Sequence, residues 1–379
     1  MVKKILKSYD YILVFAPIVL SLFGAVMIYS ASMVIAVVDY EGTPDLFFKK
    51  QVQWLIISLM FYIVALVIPY KVYKKFLKFI FFGSPVILGM VLTFGTITNN
   101  AQSWLNIGQV GFQPAEFIKL GVIIYLAGVF SNKQSYIEKF WPAFGPPLAF
   151  IFFIFVLVYK QPDLGTALLI ISIAGMITVC SGIRLKHLGT LALVAFAGML
   201  VLYPMLTDEQ LSRFTAAYDP FHEDIADHGG YQLINSYIAI ASGGITGQGL
   251  GESIQKFGYL PEPHTDFIMS VISEELGFLG IGFVLFMLTL MIWKGFTIAM
   301  RANDPFGSLI AIGISGMIGI QSLVNLGGLT GLLPITGVPL PFVSYGGSSL
   351  LLLMLSMGIL NNIAMFSNYK ASNQNQLSE

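Results

Sequence analysis

Apolar stretches long enough to cross about 30 Å of hydrocarbon recur along this chain near residues 11–33, 52–69, 76–95, 114–130, 141–159, 164–182, 187–206, 267–292, 306–329 and 346–366. A water-soluble fold has nowhere to bury ten such runs. The sequence therefore predicts an all-α integral membrane protein of about ten transmembrane helices, organised as one membrane domain over 1–379. Composition agrees, with 56% hydrophobic and 11% charged residues and a mean hydropathy of +0.79. The formal net charge is zero, so no long-range basic field gathers nucleic acid, which is not expected as a partner. The single cysteine, Cys180, excludes an intrachain disulfide and a C-x-x-C motif, and reads as a small buried apolar residue. Lys3, Lys4 and Lys7 precede an apolar run longer than the 7 to 15 residues or so of a cleavable leader, which predicts an uncleaved first span.

An even number of spans puts both termini on one side, and retained positive charge marks the cytoplasmic loops. Most of the twenty basic residues fall on alternate loops: Lys3, Lys4 and Lys7; Lys71, Lys74, Lys75 and Lys78; Lys133 and Lys139; Arg184 and Lys186; Lys294 and Arg301; and Lys370. The opposite loops hold only Lys49, Lys50, Lys160, Arg213 and Lys256, and Lys119 lies inside a span. Both termini are expected in the cytoplasm. The inner loops are short and carry no G-x-x-x-x-G-K-[ST] phosphate cradle, which excludes a cytoplasmic ATPase or kinase. Polar sequence concentrates outside, at 96–113, in a large loop of about 207–266 between the seventh and eighth spans, and at 330–345.

Two glycine- and proline-rich segments stand out. GGITGQGLG at 243–251 follows no predicted strand and reads as a flexible turn at the membrane surface rather than a dinucleotide loop. TGLLPITGVPLPFVSY at 330–345 has three prolines that forbid a continuous helix, yet is too apolar for a solvated loop. Non-helical backbone at membrane depth is tolerated only against protein or beside a water-filled cavity, so this segment is expected to dip back and line one, the alternative being a connecting loop packed on helix ends.

Ionisable groups in spans are functional candidates by default. Glu116 and Lys119, three apart, either pair to fix packing or face a cavity. Asp163 opens the sixth span and reads as a helix cap; Gln321 and Asn325 read as hydrogen bonds to a neighbouring helix. Glu262, His264 and Asp266 precede the eighth span, and Glu274 and Glu275 lie inside it. Asp266 is a candidate general base towards a hydroxyl or a simple N-cap; Glu262 and His264 are weak candidate ligands for a divalent cation. Trp104 is either a sugar-stacking or an interfacial belt residue. The absence of G-x-S-x-G, H-E-x-x-H and Cys/His pairs argues against serine, zinc and cysteine hydrolases. Three classes stay open: a transferase acting on a lipid-anchored substrate, a flippase or transporter, and a noncatalytic scaffold.

The strings AQSWLNIG at 101–108, QPAEFIKL at 113–120, QPDLGTA at 161–167, GYLPEPHTDFIMSVISEELG at 258–277 and PITGVPLPFVSYGGSS at 334–349 together resemble the SEDS family (shape, elongation, division and sporulation), which includes FtsW and RodA. LKSYDYILVF at 6–15 and NAQSW at 100–104 are closer to the division type, FtsW, of Gram-positive bacteria than to the elongation type. The resemblance implies a peptidoglycan glycosyltransferase that polymerises lipid II on the outer membrane face at the septum, using no nucleotide. It implies as partners a class B penicillin-binding transpeptidase, divisome proteins, lipid II and an undecaprenyl-linked glycan strand. By motif match Asp266 is the essential aspartate, Trp104 is the family's outer-loop tryptophan, and Glu116, Lys119, Asp163 and Glu275 fall on its polar positions. Arg213, Lys119, or a Mg²⁺ or Mn²⁺ ion would steady the leaving pyrophosphate.

Overall fold

The computed structural model describes residues 2–98, 101–107, 110–221 and 229–378. A short helix α1 (Val2–Ser8) leads into α2 (Tyr11–Val38), whose N-terminus is capped by the Asp10 carboxylate accepting from the Ile12 and Leu13 N–H groups. There follow α3 (Leu46–Val67), α4 (Leu77–Phe94), α5 (Pro114–Asn132), α6 (Phe140–Tyr159), α7 (Leu164–Cys180) and α8 (Leu185–Leu202). Beyond them come α9 (Asp208–Tyr218), α10 (Gly229–Gly243), α11 (Ile268–Arg301), α12 (Pro305–Leu329) and α13 (Gly347–Ser378).

Among the described residues eight helices are long and apolar enough to cross a bilayer, and α7 and α8 supply two shorter apolar helices in the places of the sixth and seventh expected spans. At 17 residues, α7 rises only about 25 Å, which is why it falls short of the full hydrocarbon thickness. The helix ends extend past the hydropathy bounds: α3 starts at Leu46 and α11 runs on to Arg301. The segment at 96–113 departs from an all-α reading, since β1 (Thr96–Thr98), β2 (Ala101–Ile107) and β3 (Val110–Phe112) form a small antiparallel meander. The large loop at 207–266 holds the helices α9 and α10 and continues without helix from Gly244 to Asp266.

The core lies where α12 packs on α5, α7, α11 and α13. Ile123, Leu126, Ile310, Ile314 and Met357 are sealed there, and α13 is enclosed along most of its apolar length. Outward-facing Phe79, Phe82 and Val86 of α4 and Leu193, Val194 and Met199 of α8 are exposed, as expected of surfaces whose solvent is lipid. Cys180 is exposed at the end of α7 rather than buried.

The helix that matters most is broken. Gly277 sits inside α11 with φ +62° and ψ −155°, a conformation open to glycine but strained for other residues. The break leaves peptide groups unpaired, and the 243–251 segment pairs them: Gln248 N–H donates to Glu274 O (2.9 Å), Gly249 N–H to Glu275 O (3.0 Å), and Phe278 N–H to Gly244 O (3.0 Å). GGITGQGLG is therefore not a flexible turn but a backbone plug. Its glycines permit the approach, since a Cβ at Gly243 or Gly247 would collide with the Ser273 or Glu275 backbone. Gly277→Ala would place a methyl group 2.6 Å from Ile245 O and add about 1–3 kcal/mol of backbone strain; thermal unfolding of the purified protein should shift clearly downward, and an unchanged midpoint would contradict the plug.

Candidate active site

Two non-helical chains run side by side before α11 and after α12. Tyr345 N–H donates to His264 O (2.9 Å), and the Ser344 hydroxyl donates to Thr265 O (2.6 Å) while accepting Leu340 N–H (2.8 Å). From below, Asn325 uses its amide NH₂ twice, towards Asp266 O (2.9 Å) and Val338 O (2.8 Å), and Gln321 donates to Pro339 O (2.9 Å). Gln321 and Asn325 thus clasp loop backbone rather than only a neighbouring helix. Val338, Leu340, Phe342 and Val343 are buried, so the second half of the 330–345 segment is packed into protein, while Leu332 and Leu333 in its first half stay exposed.

This clasp presents Asp266. The carboxylate opens on a narrow cleft lined also by Asn325, Gly328, Ile335, Thr336 and Gly337. Gly337 has φ +72°, and a Cβ there would stand 3.6 Å from Asp266 Oδ2. Phe267, not Asp266, occupies the cap position of α11, and no side chain caps the helix; the capping reading of Asp266 is set aside. No side-chain hydrogen bond to its carboxylate is present among the described residues. Its pKa is raised to about 7, by burial first and by the Glu262 charge second, with Arg213 on α9 pulling the other way. A carboxylate so poised exchanges a proton near neutrality, which is what a general base for a hydroxyl needs.

The other predicted residues separate into distinct settings. Lys119 is fully buried and donates to Glu116 Oε1 (2.8 Å) and Gln321 Oε1 (3.3 Å); of the two readings of this pair, the packing one describes it, and Lys119 is not free to meet a leaving group. Asp163 caps α7 through Thr166 N–H (3.0 Å) and receives the Gln113 side chain (3.1 Å), so both its oxygens are engaged. Through Gln321, the Lys119–Glu116 pair braces the loop that covers Asp266. Glu275 lies elsewhere, sealed with Lys256 Nζ at 2.9 Å and the Ser30 hydroxyl at 2.6 Å, and does not face the cleft as a substrate ligand would. Lys256 was legible only as a loop lysine, because nothing near it in sequence signals that it is buried. Neighbouring Glu274 is held by Ile254 N–H (3.0 Å) and the Ser253 hydroxyl. Arg213 is half-buried and tied to Glu209 at 2.8 Å, and Trp104 is half-buried on β2, paired with Thr96.

Glu262 and His264 do not make a metal site. The His264 ring packs against Phe47 (4.4 Å between centroids) and Tyr345 (5.5 Å), where burial lowers its pKa to about 4, and Glu262 accepts the Thr265 hydroxyl (2.8 Å). Among the described residues no three His, Cys, Asp or Glu side chains converge. These residues do not fit a chelated Mg²⁺ or Mn²⁺, and no step below runs through one.

Residues 11–369 match the cell cycle protein family of FtsW, RodA and SpoVE. The chain belongs to this family. It is 51% identical to the probable peptidoglycan glycosyltransferase FtsW of Bacillus subtilis (strain 168), over 97% of this chain and 94% of that one. It is 38% identical to stage V sporulation protein E of the same organism, over 96% and 98%. The fold is similar to a chain in a structure described as the structural coordination of polymerization and crosslinking by a peptidoglycan synthase complex, with TM-score 0.78, 26% identity and coverage of 95% and 98%. The crystal structure of Thermus thermophilus rod shape determining protein RodA is similar at TM-score 0.69 and 26% identity, over 94% and 96%. Family membership and apolar helices together make this a multi-pass membrane protein.

Lys256→Met strands the Glu275 charge in the protein interior, and removing one partner of a buried pair costs about 3–5 kcal/mol. The double variant Lys256→Met/Glu275→Leu should recover most of that loss in thermal unfolding. A double variant no more stable than the single would show that the pair is not the source of the stability.

Proposed function

We propose that this protein is an inverting peptidoglycan glycosyltransferase that polymerises lipid II on the outer face of the cytoplasmic membrane, with Asp266 as its general base. The observation that carries this reading is the Asp266 carboxylate: partly buried, unclaimed by any hydrogen-bond donor among the described residues, and titrating near pH 7. Two lipid-linked saccharides enter sideways from the bilayer. Asp266 takes the proton from the acceptor's 4-hydroxyl, the freed oxygen attacks the donor's anomeric carbon, and the bond to undecaprenyl pyrophosphate breaks, leaving a β-1,4 linkage. Arg213, the cation whose charge reaches Asp266, is the protein group best placed to steady the departing pyrophosphate. Holding both substrates by their lipid tails raises their effective concentration, so few protein contacts are needed.

The alternation of Lys and Arg along the loops supports cytoplasmic termini, which puts the 262–267 segment outside, where lipid II is displayed. Likeness to the Bacillus subtilis FtsW over nearly the whole chain supports a septal role in division. Likeness to a chain in a complex that polymerises and crosslinks peptidoglycan supports a class B penicillin-binding transpeptidase as partner, within a divisome assembly.

The test is lipid II polymerisation by the purified protein with its cognate transpeptidase, read as glycan ladders on a gel. Asp266→Asn should lose about a hundredfold or more of the rate. Because a base works deprotonated, the wild-type rate should climb as pH rises through about 7. Glu262→Gln should move that limb to lower pH and Arg213→Gln to higher pH, since they remove the charges that raise and lower the Asp266 pKa. Ladders of wild-type intensity from a folded Asp266→Asn protein would remove Asp266 as the base and favour a flippase or scaffold.

A further inference from the structure

At the opposite end of α11 from Asp266, a second cavity has no part in this chemistry. Lys294, Thr297 and Arg301 lie at positions i, i+3 and i+7 and so share one helix face, opposite Ser367 and Asn368 of α13, with Asp10 closing the groove, whose free volume is about 70 Å³. The Asp10 carboxylate is already committed, one oxygen to the first turn of α2 and the other to Lys294 Nζ at 2.9 Å. Arg301 is exposed and has no hydrogen-bond or ion-pair partner among the described residues. The groove therefore carries one uncompensated positive charge. Asn368 gives its NH₂ to Ser8 O (3.0 Å) and Thr297 gives its hydroxyl proton to Trp293 O (2.9 Å), so both keep an oxygen to accept from a ligand hydroxyl.

The depth of the groove narrows what can fill it. Arg301 ends the apolar helix α11 and Asp10 caps the apolar helix α2, so the groove sits where hydrocarbon gives way to headgroups. On the same stretch of α11, Trp293 and Met300 are 65% and 80% exposed. An aromatic at the interface and an apolar flank suit an acyl chain, while a free guanidinium suits a phosphate through its planar fork of donors. Basic pockets between spans bind anionic headgroups by this combination. We propose that this groove is a binding site for the headgroup of an anionic phospholipid, with Arg301 on the phosphate diester and Thr297 and Asn368 accepting from the glycerol hydroxyls.

The test is native mass spectrometry of the purified full chain titrated with dioleoyl phosphatidylglycerol, with dioleoyl phosphatidylcholine as the zwitterionic control. Wild type should retain phosphatidylglycerol in preference to phosphatidylcholine. Arg301→Gln should lower that retention roughly tenfold, the scale of a lost charge-assisted hydrogen bond, and Arg301→Lys should restore most of it. Thr297→Phe, which fills the groove and keeps every charge, should lower it likewise and decides the matter if Arg301→Gln does not fold. Equal retention of the two lipids, or unchanged phosphatidylglycerol retention in Arg301→Gln or Thr297→Phe, would overturn the site. Complete displacement by millimolar inorganic phosphate would show a free-phosphate site instead of a lipid one.

Discussion

Hydrocarbon offers no partner to a free peptide group, and each group left bare there costs several kcal/mol. The chain nonetheless departs from helix twice close to its candidate site, at Gly277 inside α11 and across 330–345 after α12. Each departure is closed by another piece of backbone or by a side-chain amide. The glycine-rich 243–251 segment takes up the groups freed at Gly277, and the 262–267 and 334–345 chains hold each other through Ser344, Tyr345 and Asn325. Asp266 is the acid left unspent by these closures, which is why it is available for chemistry.

Charge is handled in the same way. Lys119 with Glu116, and Lys256 with Glu275, are ions buried in pairs, and such pairs contribute little net stability while making the loss of either member costly. Their use here is positional: one braces α5 against Gln321 and so the covering loop, and the other pins the 251–256 segment to the broken helix. Asp266 and Arg213 have no such burial as a pair. The contrast between these neutralised, inaccessible ions and the uncommitted Asp266 carboxylate separates the groups that hold the site from the one proposed to act in it.

Hydropathy made most of the helices legible, because lipid rewards long apolar runs whatever their neighbours do. Its two weakest cases, α7 and α8, are the short ones. The non-helical course of 330–345 and the burial of its second half were readable too, since three prolines in an apolar segment leave few alternatives. Other features were not local and so left no trace. Gly277 lies within an apolar run that reads as continuous helix, and the segment that repairs the break is about thirty residues away along the chain. Lys256 looks like any loop lysine until Glu275 is brought beside it. For Asp266, the choice between base and helix cap turned on one residue of register, because Phe267 takes the cap position.

The central claim is that the non-helical clasp, and not the aspartate alone, makes the site. Asn325→Leu keeps a side chain of similar size in α12 and removes both amide bonds to the two chains. The measurement is the initial rate of lipid II polymerisation by the variant in complex with its transpeptidase. If the clasp sets the position of Asp266, the rate should fall roughly a hundredfold, the scale expected when a catalytic group is misplaced by about 1 Å. A wild-type rate with both carbonyls left unpaired would contradict the claim.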